Sequence, residues 1–283
     1  MTSLAKILLR AAALLLALTT ATAAQAAEFR VAIMQAQSGD ARKYQPLLDY
    51  LGKKGFPAKF VTVPNYQSAT DLFAAGSVDA MFGGSGVSCA MMLKGAVEPF
   101  ARSLGAKGVK SYSAVVVAPR GSPRFDGTAG WFAGRRVICS PLAAGGEFYF
   151  RSFGPSTAAA VLLAASHGAA LDALARGRAD VAIVKNHVWA REQSKYPQLV
   201  QVGGDHRQHP DGGLVISARV DKAAARRLLV LLLGLASDGS AEAQAARSAL
   251  DITGFAAATA KDYEPTMAMI KEAGVTKAFD FQF

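Results

Sequence analysis

Short apolar runs alternate with amphipathic segments along most of the chain from Phe29 onward. Runs of four to seven apolar residues predict strands, and apolar positions spaced three and four apart predict helices. Predicted strands cover residues 29–35, 59–63, 78–82, 113–118, 136–139, 179–184, 199–202 and 214–218. Predicted helices cover residues 44–54, 67–75, 87–94, 147–153, 170–176, 188–195, 222–236, 242–250 and 263–273. This alternation is typical of the α/β class, in which helices cover a mainly parallel sheet.

One pattern occurs twice, at residues 74–82 and 175–183. Each copy has a helix end, a glycine that ends the helix (Gly76, Gly177), an aspartate (Asp79, Asp180) and a buried strand. The repeat predicts two similar lobes, each with a mainly parallel sheet, joined by hinge strands. The aspartates are expected to be structural turn acids.

The lobe boundaries follow from a change in composition. The segment 120–134 is rich in glycine, proline and charge, and we interpret it as the crossing between lobes. Residues 27–118 and 214–283 then form lobe 1, and residues 119–213 form lobe 2.

Small and polar residues follow the predicted strands where helices begin, at 83–88, 140–146 and 166–168. Helix N-termini hold anions, because their free N–H groups and the helix dipole point the same way. One such segment alone is an ordinary helix cap, but three in corresponding places favour a ligand cleft between the lobes. The candidate contacts here are Ser85, Ser88, Ala144, Gly145, His167, Lys185 and Asn186.

The first residues indicate secretion. Lys6 and Arg10 precede an apolar run at 11–20. Ala24–Gln25–Ala26 then has the small-x-small pattern of a signal-peptidase cleavage site. This predicts a signal peptide over residues 1–26 and a soluble periplasmic protein. The formal net charge of +10 favours an anionic ligand, while the scattered basic residues carry no nucleic-acid motif. The sequence does not decide whether Cys89 and Cys139 form a disulfide.

Motifs for catalysis and metal binding are weak. The chain lacks a nucleophile elbow and a nucleotide-binding P-loop, and no cofactor or metal is expected. His206 and His209 lie in a loop that the pattern predicts to be exposed, with no third ligand. Cys89, beside two methionines, is more typical of a small buried residue than of a metalloid ligand.

The chain resembles the periplasmic solute-binding proteins of phosphonate, phosphite and phosphate ABC importers, over nearly all of the predicted mature chain. The resemblance rests on six short motifs: Asn65–Tyr66, 76–80, 131–137, Ser166–His167, 177–182 and Asp262–Tyr263. It implies a type II periplasmic-binding fold without enzymatic activity, acting as a monomer with a membrane permease.

The resemblance also implies site residues. Tyr66 and His167 would face the cleft, a position near Asn186 would contact the organic end of the ligand, and Asp211 would be a second acidic contact. Two departures from the family are a serine at Ser88, where relatives have tyrosine, and the segment 143–145, where relatives have hydroxyl residues. Because of these departures, the sequence does not identify the solute that the protein binds.

Two other functions remain open at this point. The first alternative to a transport function is a sensor subunit for a histidine kinase, with Cys89 binding a metalloid such as arsenite. An enzyme of small metabolites on the same fold is the second alternative, although no spacing in the sequence requires a nucleophile or an acid–base pair.

Overall fold

A computed structural model describes residues 28–34, 38–105 and 108–283, without the side chains of 38–41. The predicted signal peptide lies outside the described residues. Among the helices that are described, none combines the length and the apolar character needed to cross a membrane.

The first sheet has six strands in the order β13-β4-β12-β3-β1-β2. Its strands are β1 (Phe29–Met34), β2 (Ala58–Val63), β3 (Ala80–Gly83), β4 (Glu98–Leu104), β12 (Gly213–Ile216) and β13 (Gly254–Ala257). The helices that pack with it are α1 (Ser38–Lys53), α2 (Tyr66–Ala74), α3 (Ser85–Leu93), α7 (Lys222–Gly234), α8 (Ala241–Leu250) and α9 (Ala260–Glu272). Polar caps begin several of them: Asn65 Oδ1 accepts from Ser68 N–H at 2.8 Å, and Asp221 caps α7.

The second sheet has five strands in the order β10-β6-β9-β7-β8. They are β6 (Ala114–Pro119), β7 (Arg136–Cys139), β8 (Ala160–Leu163), β9 (Val181–Lys185) and β10 (Leu199–Gly204). The helices on this side are α4 (Glu147–Arg151), α5 (His167–Ala175) and α6 (Asn186–Glu192). The predicted two-lobed α/β architecture is thus present.

Both sheets are mixed, which differs from the expected mainly parallel arrangement. In the first, β1 runs parallel to β2 and β3, whereas β12 is antiparallel to β3 and β4. In the second, β7 runs parallel to β8 and β9, whereas β6 is antiparallel to β9 and β10. The reason is the crossing chain: β6 and β12 are the strands that enter each sheet from the other lobe.

The crossing lies earlier in the chain than 120–134. β5 (Ser111–Tyr112) pairs antiparallel with β11 (His209–Pro210), and this two-stranded ribbon joins the sheets. Because β6 pairs only within the second sheet, residues 114–118 belong to lobe 2 rather than lobe 1. The segment 120–134 folds onto the same lobe, where Phe125 N–H donates to Val202 O at 3.0 Å.

The repeated sequence pattern forms the same contact in each lobe. Arg30 donates to the Asp79 carboxylate at 2.8 Å and to Gly76 O at 2.7 Å. Arg136 donates to the Asp180 carboxylate at 2.8 Å and to Gly177 O at 3.0 Å. The two aspartates therefore tie the start of β1 or β7 to the turn before the neighbouring strand, β3 or β9, in agreement with their expected structural role.

The lobes are in close contact. One apolar cluster includes Val87 and Met91 from α3 together with Phe148 from α4. The C-terminal Phe279 and Phe283 also pack against Phe148, at ring-centroid distances of 6.2 and 5.6 Å. The structure thus has a closed arrangement of the two lobes.

Candidate functional site

Two of the predicted anion-binding segments meet at the start of α3. A Cβ placed on Gly86 would lie 2.4 Å from the Phe148 ring and 2.9 Å from Leu142 O. Only a residue without a side chain allows this approach between a helix of lobe 1 and the 140–146 loop of lobe 2. The loop and the helix start therefore lie against each other across the lobe boundary.

Tyr112 lies at the centre of the polar groups between the lobes. Its side chain is 2% exposed, and its hydroxyl lies 2.9 Å from Ser85 Oγ. A Cβ on Gly145 would be 3.0 Å from the Tyr112 ring and 3.2 Å from Lys185 Cγ. The tyrosine on the crossing ribbon thus connects α3, the 140–146 loop and the end of β9.

An ion pair bridges the end of β9 and the crossing. Lys185 Nζ lies 2.6 Å from Asp211 Oδ1 and 4.2 Å from the centroid of the Tyr112 ring. His187 Nε2 lies 3.6 Å from Asp211 Oδ2. Burial opposes the charged form of each group, but the pKa of Lys185 is raised by Tyr112 and Asp211, and the pKa of Asp211 is lowered by Lys185. The pair is ionised at neutral pH.

His167 begins α5 and lies beside this pair. Its Nδ1 is 3.3 Å from Ser140 Oγ. Burial, with further contributions from Lys185 and His187, lowers the pKa of His167 to about 3. The imidazole is therefore neutral at physiological pH, where it acts as one hydrogen-bond donor and one acceptor.

The structure brings five of the predicted site residues into one cluster, defined here as the cleft cluster. The members predicted from sequence are Ser85, Gly145, His167, Lys185 and Asp211, and Tyr112, Ser140 and His187 join them.

Four other predicted residues have different surroundings. Tyr66 packs against Phe281 at 5.7 Å between ring centroids, and Ala144 lies in the apolar cluster between the lobes. Asn186 Oδ1 accepts from Ser113 N–H at 3.2 Å, so its side-chain oxygen ties α6 to the residue before β6. Ser88 Oγ is buried and has no hydrogen-bond partner among the residues that the structure describes. Ligand contacts by these residues stay predictions.

The three helix starts differ in which of their first-turn backbone N–H groups lack a partner within the described residues. At α5, Ser166 Oγ accepts from Ala169 N–H at 3.1 Å, which is an ordinary cap. At α4 the N-cap is Gly146, but the first-turn N–H groups of Glu147 and Phe148 donate to Ser140 O at 3.2 Å and to Ala143 O at 3.1 Å. The α3 N-cap is Gly84, which makes no side-chain cap. The first-turn N–H groups of α3 therefore have the greatest need of an external acceptor.

Sequence reasoning missed Tyr112, Ser140 and His187 as individual site residues. Ser140 lies in the predicted anion-binding segment 140–146, and His187 directly follows the candidate contacts Lys185 and Asn186. Tyr112 gave one weak signal, an aromatic residue directly before a predicted strand. Its role depends on the position of the crossing ribbon, which composition alone does not predict.

The predicted exposed loop around the histidine pair is wrong for one of its members. His209 is fully buried, with Nδ1 2.9 Å from Thr266 Oγ1 and Nε2 3.2 Å from Asp205 Oδ2. The centroid of the His209 ring lies 5.6 Å from that of the Tyr112 ring, which packs against it. Within the described ranges, no three His, Cys, Asp or Glu side chains are grouped to hold a metal ion.

The two cysteines are free and buried. Burial raises the pKa of the Cys139 thiol to about 12 and raises the pKa of the Cys89 thiol further. Cys89 Sγ lies 3.8 Å from Tyr263 O. Because the thiolate is the metalloid-binding form, this environment disfavours the sensor role imagined for Cys89.

Solved structures with the same fold were found by comparison. XAC2383 from Xanthomonas citri, bound to ATP, has a TM-score of 0.71 at 17% identity, covering 88% of this chain and 98% of that chain. PhnD1 from Prochlorococcus marinus, in complex with methylphosphonate, has a TM-score of 0.65 at 17% identity, covering 87% and 96%. The binding-protein component PA3383 of an ABC phosphonate transporter from Pseudomonas aeruginosa has a TM-score of 0.62 at 17% identity, covering 81% of each chain.

A search of curated proteins found no match. The two mixed sheets and the crossing ribbon give the fold of type II periplasmic binding proteins. A family model matches residues 30–263, and the chain belongs to that family, the periplasmic phosphonate substrate-binding proteins of ABC transporters. The resemblance noted from the sequence is thereby confirmed.

Proposed function

We propose that this protein captures a small oxyanion of the phosphonate, phosphite or phosphate type between its lobes and delivers it to an ABC permease. The supporting observation is the cleft cluster, in which Tyr112 joins the uncapped start of α3 to Gly145 and Lys185. Every member of this cluster lies where the two lobes meet.

The groups available to an anion are mainly neutral donors. The first-turn N–H groups of α3 and the helix dipole favour negative charge. Ser85, Tyr112 and the neutral His167 add hydroxyl and imidazole donors, whose roles depend on how each proton is oriented. Lys185 contributes positive potential that Asp211 largely cancels, so binding depends on oriented dipoles more than on net charge.

This arrangement compensates for the absence of the family's hydroxyl residues at 143–145. Ala144 packs in the apolar cluster, while the Gly145 backbone approaches Tyr112 and Lys185 closely. The backbone of this loop and the tyrosine hydroxyl take the place of the missing side-chain donors. The fold relative PhnD1 was solved with methylphosphonate, which makes that compound the first probe to use.

Isothermal titration tests the proposal. The protein without its first 26 residues is titrated with methylphosphonate, phosphite, phosphate, sulfate and arsenite. We expect saturable binding with one site per chain for at least one of the three phosphorus oxyanions, and none for the uncharged arsenite. A folded protein, verified by circular dichroism, that gives no saturable heat with these oxyanions would contradict the proposed function.

A further inference from the structure

The carboxylate of Asp211 is already occupied by groups of the protein. Its Oδ1 lies 2.6 Å from Lys185 Nζ, and its Oδ2 lies 3.6 Å from His187 Nε2. The side chains of Lys185 and Asp211 are 20% and 26% exposed. The negative charge is therefore compensated inside the cleft before any ligand arrives.

Lys185 is held firmly in this position. Its aliphatic chain passes the Gly145 backbone, where a Cβ would lie 3.2 Å from Lys185 Cγ. Its ammonium group lies over the Tyr112 ring at 4.2 Å, a cation–π geometry. A lysine with an aromatic face, a carboxylate and a backbone wall around it has few alternative positions.

We propose that Lys185 determines which phosphonates the cleft accepts, by acting as a built-in cation for Asp211. With the carboxylate filled, the site selects oxyanions whose remaining group is neutral, such as an alkyl group, a hydrogen or a hydroxyl. A phosphonate that carries an ammonium group finds Asp211 already paired with Lys185, so its charge enters the cleft cluster without a carboxylate partner. This inference rests on the proposed function.

The test compares methylphosphonate with the longer 2-aminoethylphosphonate by isothermal titration, and the difference in ligand size cancels when the preference of the wild-type protein is compared with that of Lys185→Gln. We expect the wild-type protein to favour methylphosphonate by about tenfold or more, the equivalent of one unfavourable charge contact. In Lys185→Gln the Asp211 carboxylate is free to accept the ligand's ammonium group. The preference should then decrease at least tenfold or invert.

Three further variants make the result specific. Lys222→Gln removes one exposed lysine at the start of α7, so it changes net charge equally and should keep the wild-type preference. The double variant Lys185→Gln/Asp211→Asn removes the freed carboxylate, so it should lose any gain in 2-aminoethylphosphonate binding. Circular dichroism of each variant verifies folding, and Asp211→Asn alone should still reject the ammonium ligand.

The possible failures are distinguishable. Absence of binding to any phosphorus oxyanion by the wild-type protein overturns the proposed function. Equal wild-type affinity for the two phosphonates, or an unchanged preference in Lys185→Gln, overturns the role of Lys185 and leaves the proposed function intact.

Discussion

At the scale of single residues, the site consists of polar side chains that burial has modified. Lys185 and Asp211 stabilise each other's charged forms, whereas His167 has lost its charge. Lys185 and His167 were predicted as site residues from their positions at the end of a strand and the start of a helix, whereas Asp211 was implied by the family resemblance. The ion pair itself was not predictable, since its partners are 26 residues apart and meet only through the crossing.

The pH dependence of stability follows from the neutral state of His167. Its folded pKa of about 3 lies below the ordinary value of 6.5, so the unfolded chain binds the proton more readily. The contribution of the neutral His167 to the free energy of unfolding is complete above pH 6.5. It is lost as the pH falls towards 3, by at most about 1.4 kcal/mol per pH unit. In urea unfolding, the stability difference between the wild-type protein and His167→Asn should decrease by about 1–2 kcal/mol between pH 7 and pH 5.

The exposed His206 gives a matched control for the loss of one histidine, as His206→Asn. If His167→Asn and the wild-type protein lost equal stability on acidification, His167 would not be held neutral by its surroundings.

At the scale of helices and strands, the functional geometry depends on where α3 begins. The sequence predicted a helix from residue 87, but α3 starts at Ser85 and includes Gly86. Glycine is a poor helix former, and a pattern of apolar positions gives it no helical signal. Strands β4 and β13 were also missed, because Glu98–Leu104 mixes charge and proline with few apolar residues and Gly254–Ala257 is short. The longer apolar strands β6 and β9 were predicted to within two residues at each end.

Gly86→Ala tests whether the observed contact between α3 and α4 is needed for binding. The new methyl group would lie 2.4 Å from the Phe148 ring and 2.9 Å from Leu142 O, so the lobes cannot close fully. Alanine is favourable within a helix, so lobe 1 should remain folded. We expect the affinity for the bound oxyanion to fall by about tenfold or more, as one lost contact of ordinary strength would produce.

The matched control is Gly52→Ala, another helical glycine, where a Cβ meets nothing within 4 Å. It should bind as the wild-type protein does. Wild-type affinity in Gly86→Ala would show that the ligand-bound form does not require this approach of the lobes.

At the scale of the whole molecule, the repeated pattern around Asp79 and Asp180 predicted two lobes, and both copies form the same arginine contact. The position of the crossing was not predictable from composition. The segment 120–134 is rich in glycine, proline and charge but carries Phe125, Trp131 and Phe132, which pack together in lobe 2. The true crossing is a two-stranded ribbon whose short strands give almost no periodic signal.

The central claim is that the lobes enclose an oxyanion beside Tyr112, and anomalous diffraction from crystals grown with arsenate tests it most directly. Arsenate has the shape and charge of phosphate, and its arsenic atom can be located by its anomalous signal. The account predicts one strong peak between the start of α3 and Gly145, within contact distance of Ser85 or Tyr112. Well-diffracting crystals with arsenic only at surface lysines, or with an empty cleft at saturating arsenate, would contradict it.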